Sequence, residues 1–510
     1  MFMKQFGTSY KEVREEIFGR EGRKYPGRAL VEMELRPGYN AAKTKKIQPM
    51  LAVNEAHLLM LIEQGIVPAS DGKKIMEQLE TVDYDKYAQK AYTGEFEDLF
   101  FEIENELIQR TNGLAGNIHL ARSRNDMSLC LDHMVVRSEL LSLIELLLDV
   151  QNTIKVFAFA HKDTLYVAHT HTQHAQPSVL GHYFLGVFDV LCRDIDRLAH
   201  AYHHANSSPM GAAAITTSGF PISRQRVSEL LGFETVIENS YDAIGNADFF
   251  TETAAAIGLA ALNLGRVITD LVVWATEELH MIRVADGYIS TSSIMPQKRN
   301  PIALEHLRAS LSVVKGLSDT VLDGYLKSPY GDISDHEDVE PILSQAFELL
   351  EKNYDLFNSV IGTLEVDVDL LARRAHESFS VVTEVADELV RLCGLPFRQA
   401  HHVVATLVRE AEKNGYDLKK IDSGFFSEIY RQVTGTPFVA DFNAIQSSLD
   451  PVMFVLSRNV YGGIGPAAMD AMFVSAAEKQ EYWRNWLSLA YAGLENADTL
   501  RNDLIQKMLR

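Results

Sequence analysis

Cysteine is scarce in this chain: three residues in 510, Cys130, Cys192 and Cys393, far apart and without a CxxC pair. A scattered, odd set excludes a disulfide framework or a zinc ribbon and reads as three small buried hydrophobes in a reducing cytoplasm. Positive charge is also short. Against 69 Asp and Glu stand 48 Lys and Arg, a net charge of −21, the reverse of the basic surplus a nucleic-acid binder carries. Long apolar runs are missing too. The most apolar stretch, Thr253 to Gly265, has 13 residues between Glu252 and Arg266, short of the ~20 a membrane span needs. The leading stretch MFMKQFGTSYKEVREE carries acids and no apolar core, so it reads as neither a signal nor a transit peptide. No segment repeats at a fixed period.

What is present is apolar periodicity of the helical kind. Asp126 to His161 contains no Pro or Gly, and Leu140, Ile144, Leu147, Val150, Ile154 and Phe157 recur at spacings of three and four. Leu141, Leu143, Leu146 and Leu148 make the same segment apolar on most sides, so other helices must surround it. Further rods are predicted from Ser178 to Ala205, from Asp248 to Arg283, and from Pro301, a favoured first helical position, to Leu326. Short strand candidates lie at Leu165 to Ala168 and Phe220 to Ile222. The fold class is mainly α, built on a long helical bundle. Composition divides it into a mixed N-terminal domain over residues 1–121, a central long-helix domain over 122–370, and a C-terminal domain of shorter helices ending in a polar tail over 371–510.

Four polar clusters fall at the ends of these rods. YISTSSIMPQKRNP, Tyr288 to Pro301, is rich in hydroxyls and cations, and its Asn300 is placed to cap the helix that follows. HLARSRNDM, His119 to Met127, offers two guanidinium forks suited to carboxylates. HTHTQHAQP, His169 to Pro177, carries three histidines, which also read as a metal pattern, although no alternating βα pattern of a barrel hydrolase surrounds them. PMGAAAITTSGFPISR, Pro209 to Arg224, is made of small residues that let backbones approach. Each alone is compatible with a plain connector or helix cap. Together they place cations, amides and hydroxyls in an acidic protein, which implies a pocket for a small anion.

The loop SSIMPQKRNP resembles the GSSxMPxKxNP signature of the fumarase/aspartase superfamily, and the other blocks select a branch. ARSRND resembles GRSRND, THTQHAQP resembles THLQRAQP, and ENSYDAIGNADF resembles ENSLDAVSDRDF, while GLPFRQAHHVV and YGGIGPAAM resemble blocks of the C-terminal domain. The branch is argininosuccinate lyase. The resemblance implies a three-domain, mainly helical fold whose central helices form a twenty-helix core in a homotetramer, with active sites shared between subunits. It implies a small dicarboxylate substrate, no cofactor and no metal, no nucleic-acid or membrane partner, and anti elimination that breaks a C–N bond to release fumarate.

By the same match Ser292 is the base, and Lys298 with Asn300, Asn125 and Thr170 stabilises the dianion that forms when a proton leaves carbon beside a carboxylate. His171 is the candidate acid, or the activator of a neighbour. Ser123, Arg124, Ser293, Arg224, Tyr330 and His336 complete the expected substrate contacts. A nucleophilic Ser292 is disfavoured because no GxSxG elbow is present. An inactive crystallin-like protein is disfavoured because base and donors all survive. Several positions depart from the pattern: Thr291 and Ala121 replace Gly, Met127 replaces Gln, Phe100 replaces His, Ala247 replaces Arg and Ile302 replaces Asp. In GDISDHEDVEP, Gly331, His336 and Val339 stand where the branch has Tyr, Gln and Lys holding the amino-acid end of the amine. The fumarate-forming half is thus expected to be intact and the amine-recognising half altered. Argininosuccinate is the best single named substrate, and the departures favour a non-standard amine.

Overall fold

The computed structural model describes residues 9–332, 334–417 and 420–510. Five long helices make its centre: α1 (Arg124–Ala160), α2 (Leu180–Ala205), α3 (Asp248–Trp274), α4 (Ile302–Tyr325) and α5 (Asp335–Gly362). At ~1.5 Å per residue, the 37 residues of α1 span about 55 Å. Leu140, Ile144, Leu147, Val150 and Ile154 are fully buried along it, as their spacing requires. α5 is the rod that periodicity missed. An acidic first turn of Asp335, Glu337 and Asp338, followed by Pro341 inside the helix, masks its apolar face of Leu343, Phe347, Leu350, Tyr354 and Phe357.

α3 stops short of the predicted Arg283. The Thr276 hydroxyl donates to the Val273 carbonyl at 2.7 Å and the Met281 amide returns to the Trp274 carbonyl at 3.0 Å. Ile282–Arg283 then pairs antiparallel with Glu365–Val366. By length and composition α3 could cross a membrane, but it packs between α2 and α4 with Ile257, Ile268 and Leu271 buried. Between α1 and α2 lies an antiparallel hairpin, β1 (Leu165–Thr170) and β2 (Gln173–Val179), so the strand expected at Leu165 extends to Thr170. No strand forms at Phe220 to Ile222, where Pro221 sits in a tight turn closed by the Ile222 amide on the Phe220 carbonyl at 2.8 Å.

A second apolar core gathers around the Ile47–Glu63 helix, and a third, formed by Val381 to Phe454, is assembled from shorter helices. The C-terminal segment is not an extended polar tail. It is the longest described helix, the 44 residues of α6 (Pro466–Leu509). Met469, Ala476, Trp483 and Leu487 bury one stripe of it against the central bundle, and Ile505 reaches the N-terminal core. Spacings of seven, seven and four, two turns or one apart on the same face, suffice once a groove exists to receive them. Several apolar side chains on the bundle helices remain exposed, among them Val156 and Phe159 of α1, Leu259 and Leu262 of α3, and Val313 of α4.

Candidate active site

The entrance of α1 is built by its own sequence. Ser123 caps the helix, its hydroxyl accepting from the Asn125 amide at 3.3 Å while its own amide donates to Asp126 at 2.8 Å, a reciprocal box. The other carboxylate oxygen of the buried Asp126 accepts from the amides of Gly211 and Ala213, each at 2.9 Å. One short acid therefore fastens the small-residue loop to the helix start. Gly211 has φ +82°, and a Cβ there would meet Cγ of Arg224 at 2.7 Å, so glycine is required. The Arg224 guanidinium donates to the carbonyls of Met210, Pro209 and Glu238 at 2.9, 3.3 and 3.1 Å. In this chain it braces the loop and offers little to a ligand.

The same entrance opens on a cavity of about 690 Å³ lined by Arg124, Asn125, Asp132, Tyr325, His336 and Lys46, among others. Arg124 reaches Glu97 and Asp98 at 3.1 and 3.5 Å. The Asn125 side-chain amide donates to the Asp332 carboxylate at 2.8 Å. At the cavity floor Asp132 is buried and paired with Lys46 at 2.6 Å and with Nε2 of His336 at 2.8 Å. Burial pushes the Asp132 carboxyl up, yet the Lys46 charge and the His336 hydrogen bond outweigh it and hold the group below the usual carboxylate range. An ionised Asp132 only accepts, so Nε2 of His336 carries a proton and donates to it, while Nδ1 shares a hydrogen bond with the Tyr325 hydroxyl at 2.8 Å. Both ring nitrogens of His336 are occupied. Lys46 also pairs with Glu340 at 3.1 Å. Sequence reading missed Lys46, Asp132 and Tyr325. The available signal was a lone Asp inside the apolar run LCLDHMVV, which must find a partner when buried.

Two further groups stand apart. Thr170 and His171 lie at the exposed tip of the β1–β2 hairpin, where His171 and Thr172 have φ +52° and +61°. Two consecutive positive φ values are the turn that matches strand twist, usually taken by Asn-Gly. A β-branched Thr there holds strain, as residues at working sites often do. His169 and His174 face each other in register below it, rings 5.1 Å apart. In the loop before α4, Ser290 pairs with Asn300 and Thr291 with Arg299. Ser292 Oγ accepts from the amides of Met295 and Ile294 at 3.1 and 3.4 Å. Ser293 and Lys298 are exposed, and Lys298 has no ion-pair partner among the described residues. Asn300 donates to the Ser290 hydroxyl at 3.3 Å and makes no cap for α4. Its strand pairing turns it toward Ser290, so the capping expectation fails.

The structure thus gathers Ser123, Arg124, Asn125, Arg224 and His336 around the α1 entrance. Tyr330 lies beside them, its hydroxyl donating to Asp242 at 2.7 Å. Thr170 with His171, and Ser292, Ser293, Lys298 with Asn300, form two separate groups. Among the described residues no hydrogen bond or ion pair joins the three.

Residues 62–316 match a family described as Lyase, and residues 379–455 match one described as Argininosuccinate lyase C-terminal. Argininosuccinate lyase 2 of Agrobacterium fabrum is 38% identical over 89% of this chain and 90% of its own length. The chain belongs to the argininosuccinate lyase family. The argininosuccinate lyase of Methanosphaera stadtmanae is 34% identical over 85% of this chain and 92% of its own. A solved structure of EDDS lyase in complex with formate superposes with a TM-score of 0.82 at 28% identity, covering 92% of this chain and 93% of that one. The family expectation read from the sequence blocks therefore holds, and so does the fumarase/aspartase-type helical fold.

Proposed function

We propose that the chain is a carbon–nitrogen lyase acting on an N-substituted L-aspartate, argininosuccinate or a related N-succinyl amine. The base takes a proton from the carbon beside one carboxylate, the C–N bond at the neighbouring carbon breaks, the electron pair leaves with nitrogen, and fumarate and an amine result. Reversal joins the two again. Ser292 is the base. The observation that carries this is the pair of backbone amides aimed at its Oγ, in a loop whose Lys298 ammonium has no ion-pair partner among the described residues. Fixed donors on an alkoxide are what a serine needs to act as a base. Lys298, Asn300, Asn125 and Thr170 supply donors for the dianionic intermediate, Ser123, Arg124 and Ser293 hold the dicarboxylate, and His171 serves the departing nitrogen. Tyr330 and His336 shape the amine half, and Arg224 holds the loop beside it.

Three groups of site residues held apart in one chain support a homotetramer in which each site takes one group from each of three subunits. The exposed leucines of α3 supply apolar surface for such an interface. The cytoplasm fits the few unpaired thiols. Fumarate release, followed by its ultraviolet absorbance, tests the base. Ser292→Ala is expected to lower kcat by roughly 10²–10³; equal rates would remove Ser292 from that role.

A further inference from the structure

If Asn125 donates to the dicarboxylate, as the lyase reading on which this inference rests has it, its side-chain amide must be available when substrate arrives. In the structure that amide has no donor to spare. One N–H goes to the Asp332 carboxylate at 2.8 Å and the other to the Ala214 carbonyl at 3.4 Å, while its oxygen accepts from the Ser123 hydroxyl at 3.2 Å. The group on Asn125 is thus of the same chemical kind as the group the site is read to bind. It also lies at the N-terminal turn of α1, whose partial positive charge favours a carboxylate. Asp332 is exposed and has no ion-pair partner among the described residues, so leaving Asn125 returns it to water at small cost. The chain just before it is fixed. The Tyr330 hydroxyl donates to Asp242 at 2.7 Å, and the Tyr330 carbonyl accepts from the Tyr241 hydroxyl at 3.1 Å. Gly331 follows with φ +156°, a conformation open to glycine and closed to most other residues. Glycine where the related block has Tyr thus lets the acid turn back from a fixed anchor onto the entrance of α1.

We propose that Asp332 is a competitor built into the chain: its carboxylate takes the place on the Asn125 amide that a substrate carboxylate needs, and binding requires it to be displaced. Affinity for the dicarboxylate is then lowered by the share of molecules in which Asp332 holds that place. One exposed hydrogen bond sets the size of the effect at about three- to tenfold. The elimination itself gains no step. The opposite role, Asp332 orienting Asn125 for the substrate, gives a change of the opposite sign.

The test is calorimetric titration of the full chain with fumarate. Asp332→Ala is expected to bind fumarate about three- to tenfold more tightly than the native chain. An orienting role or a folding defect would weaken binding, so an unchanged or weaker affinity overturns the proposal. Removing any acid near an anion site also lessens repulsion. Asp338→Ala is the control, because Asp338 lies on the same cavity wall while Asn125 makes its bonds elsewhere. That variant should stay within about twofold of the native affinity, its exposed charge being screened; equal tightening by both variants makes the effect one of charge alone and overturns the competitor. Asn125→Ala should weaken fumarate binding about tenfold. If it does and Asp332→Ala changes nothing, the competitor falls and the lyase reading stands. If Asn125→Ala binds as the native chain does, or no form binds fumarate, the assignment of Asn125 falls and the competitor with it.

Discussion

Ala121 shows how one side chain sets a local cost. It stands where the related blocks have glycine, and its φ is +60°, a region that costs an L-residue roughly 1–2 kcal/mol. Ala121→Gly should therefore stabilise the chain by about 0.5 kcal/mol after the added freedom of the unfolded state is subtracted, read as a small rise in Tm. His133 shows the opposite kind of residue, one that gains from its surroundings only when neutral. It is buried, stacked on Phe249 at 3.7 Å, with Nδ1 donating to the Ala205 carbonyl at 2.8 Å. Burial pushes it down to about 4, against smaller opposing effects of that carbonyl and Asp132. A depressed folded value means that the unfolded chain binds the proton first. The contribution is complete above pH ~6.5 and is lost as pH falls through about 4. At 1.36 kcal/mol per unit the loss is of order 3 kcal/mol. Urea midpoints measured from pH 7 to 4 should fall less steeply in His133→Asn, whose amide keeps a donor for Ala205; parallel curves would remove His133 as the cause.

Among the elements, α6 ties the molecule together. Its Arg501 is buried, donates to the buried Glu55 at 2.8 Å and to the Leu230 carbonyl at 2.9 Å, and so fixes the end of the chain to the Ile47–Glu63 helix. Removing one partner of a buried pair costs more than the pair contributes, because the other charge is stranded. Arg501→Ala is expected to lose about 3–5 kcal/mol in chemical denaturation, and Glu55→Gln in the same background should recover part of it. If the double variant is no more stable than the single, the stranded acid is not the source of the loss. The hydrophobic rods were legible because burial on nearly every side leaves a dense apolar pattern, as in α1. α6 was not, because a single stripe of Met469, Ala476, Trp483 and Leu487 on a polar helix looks like a solvated tail until its groove is known. α5 was hidden by its acidic, proline-bearing start.

At the scale of the whole molecule, the exposed Leu259 and Leu262 of α3 and Val313 of α4 are expected to be covered by other copies. Sedimentation should give a tetramer for the native chain. Leu262→Glu should give smaller species with fumarate release reduced at least about a hundredfold, the outcome expected if each site is completed by donors from other copies. A fully active monomer would break the shared-site reading. The sequence by itself determined the helical class and the family, since those are written as dense apolar periodicity and as contiguous blocks of residue types. Tertiary structure alone decided that Lys46, Asp132 and Tyr325, far apart along the chain, close around His336, and that Arg224 braces a loop. Partnership between distant polar groups depends on which buried charge finds which counter-charge when helices pack, and no local pattern encodes that choice.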